Sequence, residues 1–183
     1  MEKVLAGSEI LLRPLRPSDA IDIYLNVRHR AISRYTENIP YPYPRKAAEK
    51  FIAKSALAWK KKEGYAFAIV SRKKAELIGL ISLNKVDWKA RRATIGYWLG
   101  KKHWGKGIMS AAVRMALQFA FAKLRLNKVE ATAFEENRAS NRVLQKAGFS
   151  HEGTVRQHIL RFGRLHNINQ YGLLRQEHSK RHK

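Results

Sequence analysis

Residues 94–122 read TIGYWLGKKHWGKGIMSAAVRMALQFAFA, and this stretch decides the fold. It predicts an apolar strand over 94–99, a basic turn over 100–107 and then a long apolar helix. The first amide N–H groups of such a helix have no partner within it and point back at the turn. Gly105 and Gly107 carry no Cβ, so an anion could approach the bare backbone beside the turn's lysines. The pattern predicts a polyphosphate site, although a tight turn with solvated lysines would give the same pattern.

A second stretch lies further along the chain and narrows the possibilities. The turn lacks the GKS or GKT of a Walker A loop, and Ser110 stands where a GxGxxG fingerprint has its third glycine. Residues 137–149, NRASNRVLQKAGF, predict a short helix that ends at Gly148, with a strand beginning at Phe149.

Together the two stretches resemble the GNAT superfamily of acetyl-CoA-dependent N-acetyltransferases. The family's Q/R-x-x-G-x-G/A pyrophosphate loop is similar to residues 102–107, with lysine in the first place. Its N-x-x-S/A…K-x-G-F element is similar to residues 137–149. GYW before the loop, WGKGIM within it and the ENxxS…GF spacing look most like the Rim-type branch, which acetylates protein N-termini, including those of ribosomal proteins. The resemblance covers about residues 10–174.

The order of predicted elements matches the α/β fold that this resemblance implies. That fold has a mixed, mostly antiparallel sheet, a central parallel strand pair splayed for acetyl-CoA, and about four flanking helices. Residues 1–174 are expected to form a single N-acetyltransferase domain, followed by a basic, frayed tail over 175–183. Strands are predicted at 10–15, 65–70, 76–84, 93–99, 129–134, 149–161 and 166–174, and helices at 18–27, 45–62, 108–122 and 138–147.

Composition bounds the class of protein. A chain of 183 residues with 45% hydrophobic residues predicts one domain with a sizeable core. The absence of cysteine excludes disulfides, thiolate metal sites and thiol nucleophiles, and no metal is expected. No apolar run is long enough to span a bilayer, and the first ten residues are too polar for a signal peptide. We therefore expect a cytoplasmic protein without membrane contact.

The charge balance is strongly positive. The chain has 37 Lys and Arg residues against 14 Asp and Glu residues, a formal net charge of +23. Such an excess attracts polyanions and makes their binding salt-dependent. It is consistent with work close to ribosomal RNA or on an acidic substrate, and equally with a purely solubilising role.

The resemblance also implies which residues hold acetyl-CoA. Pantetheine would add between the splayed strands with strand-like hydrogen bonds, which would bring an amide near Leu99 to the thioester carbonyl as an oxyanion donor. Asn137 would bond the pantetheine arm, unless it only caps the following helix. The implied cofactor-binding residues are Trp98, Leu99, Gly100, Lys102, Trp104, Gly105, Lys106, Gly107, Ile108, Met109 and Asn137.

Ser140 and Asn137 are the implied catalytic residues. Many relatives protonate the departing thiolate with a tyrosine at the position of Leu144, whereas the Rim-type branch has a serine at the position of Ser140, as here. A serine in the first turn of a helix can also simply bond backbone, so both readings of Ser140 remain.

No residue is assigned as the general base. Thr94 and Ile159 stand where relatives carry glutamate, and Asn167 stands where they commonly carry aspartate. The possible substitutes are Glu135, Glu136 and His158, each of which could equally be a solvated surface residue. Water could also relay the proton, because an N-terminal amine is already partly neutral near neutral pH.

The implied reaction transfers an acetyl group from acetyl-CoA to a primary amine by direct attack. The resemblance favours the N-terminal α-amine of a protein, with a small-molecule amine such as a polyamine or antibiotic as the alternative. From another class, a basic nucleic-acid-binding or ribosome-binding module would explain the charge but not the two motifs. Tyr41 and Tyr43 either border the acceptor groove or pack in a proline-rich loop. Monomer and homodimer both remain open.

Overall fold

An eight-stranded mixed sheet runs through the molecule. The computed structural model describes residues 4–180. The strands are β1 (Leu5–Ala6), β2 (Ile10–Pro14), β3 (Tyr65–Ser71), β4 (Leu77–Asp87), β5 (Arg92–Leu99), β6 (Lys128–Phe134), β7 (Ser150–Arg161) and β8 (Arg164–Leu174). They lie in the order β1-β2-β3-β4-β5-β6-β8-β7. The α/β class and the mostly antiparallel sheet predicted from the sequence are confirmed.

Six α-helices surround the sheet in the part of the chain that is described, two more than expected. They are α1 (Ala20–Val27), α2 (Arg30–Ser33), α3 (Ala47–Lys61), α4 (Ile108–Gln118), α5 (Arg138–Ala147) and α6 (Arg175–Lys180). Short 3-10 turns cover Pro17–Asp19 and Lys101–His103, and a π-helical turn over Phe119–Lys123 follows α4. Across residues 4–180, no helix is both long and apolar enough to cross a membrane.

The expectation of a frayed tail is wrong for residues 175–180, which form α6. The helix is attached because the Leu174 N–H donates to Glu177 at 2.9 Å and the His178 ring lies 5.0 Å from that of Phe121. The last three residues of the predicted tail, 181–183, lie outside the described part of the chain.

The strands β5 and β6 form the parallel pair of the sheet and then separate. Their register runs from Arg92 opposite Lys128 to Ile95 opposite Ala131. Beyond that point β5 continues to pair with β4 through Leu99, and β6 continues to pair with β8 through Phe134. The predicted splay is therefore present, and it opens a gap between the carboxyl ends of two adjacent strands.

Both faces of the sheet are buried, as the apolar runs of β3 and β4 require. One face packs against α4 and contributes Phe67, Ile69 and Leu99 to a large core cluster. The other face packs against α1, α2 and α3, and there Ala68 and Trp98 join a second cluster. Adjacent β5 residues thus point to opposite sides, so that Tyr97 and Leu99 lie on the α4 side and Trp98 on the other.

Candidate active site

The gap between β5 and β6 is the floor of a cleft of about 630 Å³. Its walls are the α2 region, the loop that precedes α4, the carboxyl ends of β5 and β6, and α5. Eight of the implied site residues, besides Asn137 and Ser140, line this cleft: Trp98, Leu99, Trp104, Gly105, Lys106, Gly107, Ile108 and Met109. The structure thus brings most of the sequence-predicted residues together.

The loop before α4 presents bare backbone to solvent. Gly105 and Gly107 both have a φ of 74°, a left-handed conformation that favours glycine. A Cβ built on either residue would have no atom within 4 Å, so nothing in the protein occupies the space above them. Gly107 is also the N-cap of α4. The unpaired first-turn amides of α4 thus follow an open glycine loop, an arrangement that suits an anion such as a diphosphate.

The end of β5 turns one amide towards the gap. The Gly100 N–H donates to the Ile78 carbonyl of β4 at 2.8 Å. Successive N–H groups of a strand point to opposite sides, so the Leu99 N–H points away from β4 and into the splay. On that same side, the Leu99 carbonyl accepts a 2.6 Å hydrogen bond from the indole of Trp104. The indole thereby ties the glycine loop to the strand end.

Gly100 and Lys102 do not line the cleft. The Gly100 amide is used by β4, and a Cβ at this position would lie 2.1 Å from Asn26 Oδ1, so the glycine allows close packing against α1. Lys102 lies in the exposed 3-10 turn and contributes charge near the cleft mouth without forming its wall. The implied contact of Gly100 with the cofactor stays a prediction.

Three lining residues mainly support the floor. The Trp98 side chain is only 9% exposed and belongs to the second core cluster, on the side of the sheet that faces α1, α2 and α3. Met109 is buried in the main core, and Ile108 packs against that core. These two residues fix the first turn of α4 beside β5.

Asn137 and Ser140 lie at the start of α5. Asn137 is the N-cap, and its Oδ1 accepts from the Ser140 N–H at 3.2 Å, so the capping interpretation of Asn137 holds. Because Oδ1 is used in this way, Nδ2 is the group by which Asn137 can bond a ligand in the cleft. The Ser140 hydroxyl does not bond helix backbone; it points at a tyrosine.

That tyrosine is Tyr97, which sequence reasoning missed. Its hydroxyl lies 2.9 Å from Ser140 Oγ across the cleft between β5 and α5. Burial raises the pKa of Tyr97 to about 12, an effect that the Ser140 hydrogen bond opposes and the nearby Tyr171 reinforces. The hydroxyl therefore stays protonated at any physiological pH. The GYW motif could have indicated this residue, because alternation along the strand places the side chains of Tyr97 and Leu99 on the same face.

A buried asparagine fixes the turn that carries these groups. Asn141 Nδ2 donates to the carbonyls of Phe134, Glu135 and Asn137, at 2.9, 3.3 and 2.8 Å. Its Oδ1 accepts from Asn169 Nδ2 and from the Tyr171 hydroxyl, both on β8. The β6–α5 turn is therefore held against β8, which orients Asn137 and Ser140.

A stripe of cations along α5 was also missed. Arg138, Arg142 and Lys146 recur every four residues, which puts them on one face of the helix, and all three line the cleft. With Lys106 they provide positive charge on the walls formed by α5 and the glycine loop. A ligand that carries several phosphates suits those walls.

The residues considered for a general base are placed differently from one another. Thr94 lies in the paired part of β5, where it faces Asn84 and Glu130, and Ile159 lies on β7 opposite His166. Neither lines the cleft, and His158 is exposed on β7. Asn167, in place of the relatives' aspartate, donates to Glu135 and accepts from the Gln157 amide. Of the three possible substitutes, Glu136 alone lines the cleft.

Tyr41 and Tyr43, the tyrosines of the proline-rich loop, do not line the cleft, whereas two residues just before the loop do. Tyr41 is exposed and lies 6.2 Å from the Phe162 ring, and Tyr43 packs against the second core cluster. Tyr35 and Thr36 line the cleft instead. Packing in a loop is thus the better description of Tyr41 and Tyr43.

Within residues 4–180, no group of three or more metal-ligating side chains is arranged to hold a metal ion.

A splayed strand pair, an open glycine loop at a helix N-terminus and a cation-lined cleft define an acyl-CoA-binding transferase fold. The chain belongs to the GNAT acetyltransferase family, since the model of the Acetyltransferase (GNAT) domain matches residues 9–150. It is an acetyl-CoA-dependent N-acetyltransferase, and the resemblance read from its motifs is confirmed.

The relatives differ in what their names say they acetylate. The chain is 31% identical over 177 residues to the uncharacterised N-acetyltransferase YoaA of Bacillus subtilis, covering 96% of this chain and 98% of YoaA. It is 35% identical over 94 residues to the ribosomal-protein-serine acetyltransferase of Escherichia coli, about half of either chain (51% and 52%). It is 25% identical over 182 residues to that organism's spermidine N(1)-acetyltransferase, covering 97% and 92%.

A solved structure shows the same fold. The ribosomal L7/L12 α-N-protein acetyltransferase RimL, in complex with coenzyme A, superposes with a TM-score of 0.87 at 20% identity. The match covers 94% of this chain and 98% of RimL.

Proposed function

We propose that the protein acetylates the N-terminal α-amine of a protein, of the ribosomal-protein type. The observation that carries this proposal is the gap between β5 and β6, with the Leu99 N–H directed into it and the open glycine loop at its end. The choice of acceptor rests on the ribosomal-protein acetyltransferases among the relatives. A spermidine acetyltransferase is also among them, so a small amine is the competing acceptor.

In the proposed reaction, a neutral amine attacks the thioester carbonyl of acetyl-CoA, forming the C–N bond and releasing CoA thiolate. The Leu99 N–H would donate to the oxygen that gains negative charge, and the amides at the start of α4 would hold the diphosphate. Asn137 Nδ2 would bond the pantetheine arm. These groups belong to the ends of rigid elements, so the reactants would be held in a fixed orientation.

Ser140 would donate a proton to the departing thiolate. A serine hydroxyl is a poor acid on its own, because the alkoxide left behind is unstable. Tyr97, 2.9 Å away, can pass its own proton to Ser140 Oγ in the same step and recover one from solvent. The two hydroxyls would thus act as one relay.

Removal of the amine's proton is assigned to water rather than to a side chain. The residues at the family's glutamate positions, Thr94 and Ile159, carry no carboxylate. An α-amine has an ordinary pKa of about 8, so a useful fraction is already neutral near pH 8.

Thiol release from acetyl-CoA tests the proposal directly. Peptides with free N-terminal serine or alanine should release CoA, and the same peptides with blocked N-termini should not. If the enzyme acetylates spermidine but none of the peptides, the acceptor is a small amine and not a protein N-terminus. The absence of turnover with any amine would reject the proposal.

A nucleic-acid-binding role in addition to acetyl transfer rests on the +23 charge alone. Thermal unfolding measures both kinds of binding. Acetyl-CoA at a hundred times its dissociation constant should stabilise the protein by about 2.7 kcal/mol. Additional stabilisation by a short RNA would support the nucleic-acid-binding role.

A further inference from the structure

The cleft contains a single carboxylate among its described lining residues, Glu136. The charged residues that share the cleft are cationic: Lys106, Arg138, Arg142 and Lys146. Most of these suit the phosphates of the acetyl donor, since Lys106 belongs to the glycine loop and Arg142 and Lys146 lie one and two turns along α5. The presence of one carboxylate among these cationic lining residues, in a chain of net charge +23, therefore requires another explanation.

Contacts connect Glu136 to the part of the cleft formed by the α2 region. The carboxylate bonds His166, the His166 ring lies 5.4 Å from Phe134, and the Phe134 ring lies 5.8 Å from Tyr35. Tyr35 and Thr36 line the cleft together with Thr132 and Ala133. We call this part of the cleft, bounded by residues 35–36 and 132–136, the acceptor end.

His166 holds the carboxylate in place. Its Nδ1 lies 2.5 Å from Glu136 Oε1, and its Nε2 lies 3.3 Å from the Arg161 carbonyl. The His166 side chain is 12% exposed, whereas that of Glu136 is 41% exposed. One carboxylate oxygen is thus fixed by a largely buried ring, while the group as a whole can be reached by a ligand.

Across residues 4–180, no lysine or arginine forms an ion pair with Glu136, whose charged contact is His166. The Arg161 guanidinium donates to the carbonyls of Ser33 and Ile39, on the α2 side. Burial alone would raise the pKa of Glu136, but its own backbone amide, His166 and Arg164 together lower it. A carboxylate with a lowered pKa stays ionised and is a weak proton acceptor. Glu136 is therefore better suited to bind a cation than to act as a general base.

We propose that Glu136 binds a positive charge of the acceptor and that His166 positions its carboxylate, so that the enzyme selects amines carrying an additional cation. The inference rests on the proposed function and defines its substrate further. Acceptors of this kind are a peptide with a basic residue beside its free N-terminus or a diamine. An ammonium group at the acceptor end would bond the carboxylate on the side that His166 leaves exposed.

Matched acceptors test this. Two peptides with the same N-terminus should carry either lysine or glutamine as second residue, and a diamine should be compared with a monoamine of equal length. The wild-type enzyme should favour the charged member of a pair by about fivefold in kcat/KM, mainly through KM. Glu136→Gln should remove the preference and leave the dissociation constant of CoA unchanged.

Glu135→Gln is the matched control. Glu135 is the adjacent residue, points to Asn167 on β8 and does not line the cleft, so this variant should keep the preference. His166→Ala should weaken the preference, and His166→Asn should restore it, because an asparagine amide can donate in place of Nδ1. Equal behaviour of the Glu136 and Glu135 variants would overturn the inference.

The two proposals fail in different ways. Acetyl transfer to amines without any preference for charge would overturn the role of Glu136 and leave the proposed function standing. No transfer to any amine would overturn both. A preference for diamines alone would support Glu136 and identify a small-molecule acceptor, whereas a preference among peptides would identify a protein.

Discussion

The proposed proton relay depends on the contact between the hydroxyls of Tyr97 and Ser140. If the two form a relay, Ser140→Ala should lower kcat roughly a hundredfold, the lower end of the range for general acid catalysis, and Tyr97→Phe, which removes only the second hydroxyl, roughly tenfold. Neither should change CoA affinity, because the phosphate contacts lie elsewhere. Stopped-flow turnover and calorimetric titration with CoA measure the two quantities.

Tyr65→Phe is the control for that experiment, since it removes another buried tyrosine hydroxyl in the aromatic cluster, away from the cleft. Equal losses of kcat and CoA affinity in the Ser140 variant would make the serine a structural residue.

The raised pKa of Tyr97 predicts how stability depends on pH. The folded protein keeps the phenol proton up to about pH 12, whereas the unfolded chain releases it near 10. The unfolded state therefore binds fewer protons in this window, so the free energy of unfolding should be constant below about pH 9 and fall between about 10 and 12. Tyr97→Phe should flatten part of this fall in urea titrations. An unchanged slope would show that the phenol is not protected.

Single residues show where sequence patterns are insufficient. Tyr97 occurs in an apolar strand and is naturally interpreted as core, because only the packing of α5 reveals what its hydroxyl faces. The sequence does not distinguish Glu135 from Glu136. In the structure both bond β8, through Asn167 and His166 respectively, but only Glu136 lines the cleft. Gly107, by contrast, was predictable, since a glycine at a helix start implies backbone access.

At the scale of elements, the glycine loop offers a matched pair of substitutions. Gly107 and Gly163 share a φ of 74° and open surroundings, but Gly163 lies in the β7–β8 turn. Alanine at either position should cost about 1 kcal/mol of stability through backbone strain. Gly107→Asp should also abolish CoA binding, because its carboxylate would stand where the diphosphate is expected.

Gly163→Asp is the control, and it should bind CoA normally. Thermal unfolding and titration with CoA measure both effects. Normal CoA affinity in the Gly107 variant would exclude the loop as the phosphate site.

The bounds of an element agree with the sequence prediction where its hydrophobic pattern is regular or a capping residue ends it. They do not agree where tertiary contacts determine where the element ends. The α5 range of 138–147 agrees with the structure because Asn137 caps the helix and Gly148 ends it. Strand β4 extends past its predicted end at 84 to Asp87, since polar residues still pair with β5 after a register shift. The predicted helix 108–122 changes to a π-helical turn at Phe119, whose ring packs against Tyr65 and Phe67.

At the scale of the whole molecule, the net charge of +23 should act on stability and on binding in opposite directions. Salt screens the repulsion among the protein's own cations, so raising sodium chloride from about 50 to about 500 mM should raise the unfolding temperature. The same change should weaken binding of the polyanionic CoA, because Lys106 and the α5 stripe attract it less.

Thermal unfolding with and without CoA across the salt series measures both trends. CoA affinity that does not respond to salt would show that backbone amides, rather than these cations, dominate its binding.

The overall topology could be predicted because two short motifs, in order and at the right spacing, resemble one family. Composition contributed less, since a charge of +23 is compatible with several functions. The acceptor end could not be predicted, because it combines the α2 region, β6 and β8, which are far apart in the chain and meet only in the folded sheet.

The separation of β5 from β6 has a mechanical consequence. In the described chain, four residue pairs, from Arg92–Lys128 to Ile95–Ala131, join the five-stranded half of the sheet to the three-stranded half. A pantetheine chain that is hydrogen-bonded to both strand ends would link the two parts of the sheet where β5 and β6 no longer pair. We expect the two parts of the sheet to move relative to each other in the free enzyme and to become more rigid when acetyl-CoA is bound. Amide hydrogen exchange at the carboxyl ends of β5 and β6 should then be slower in the complex than in the free enzyme.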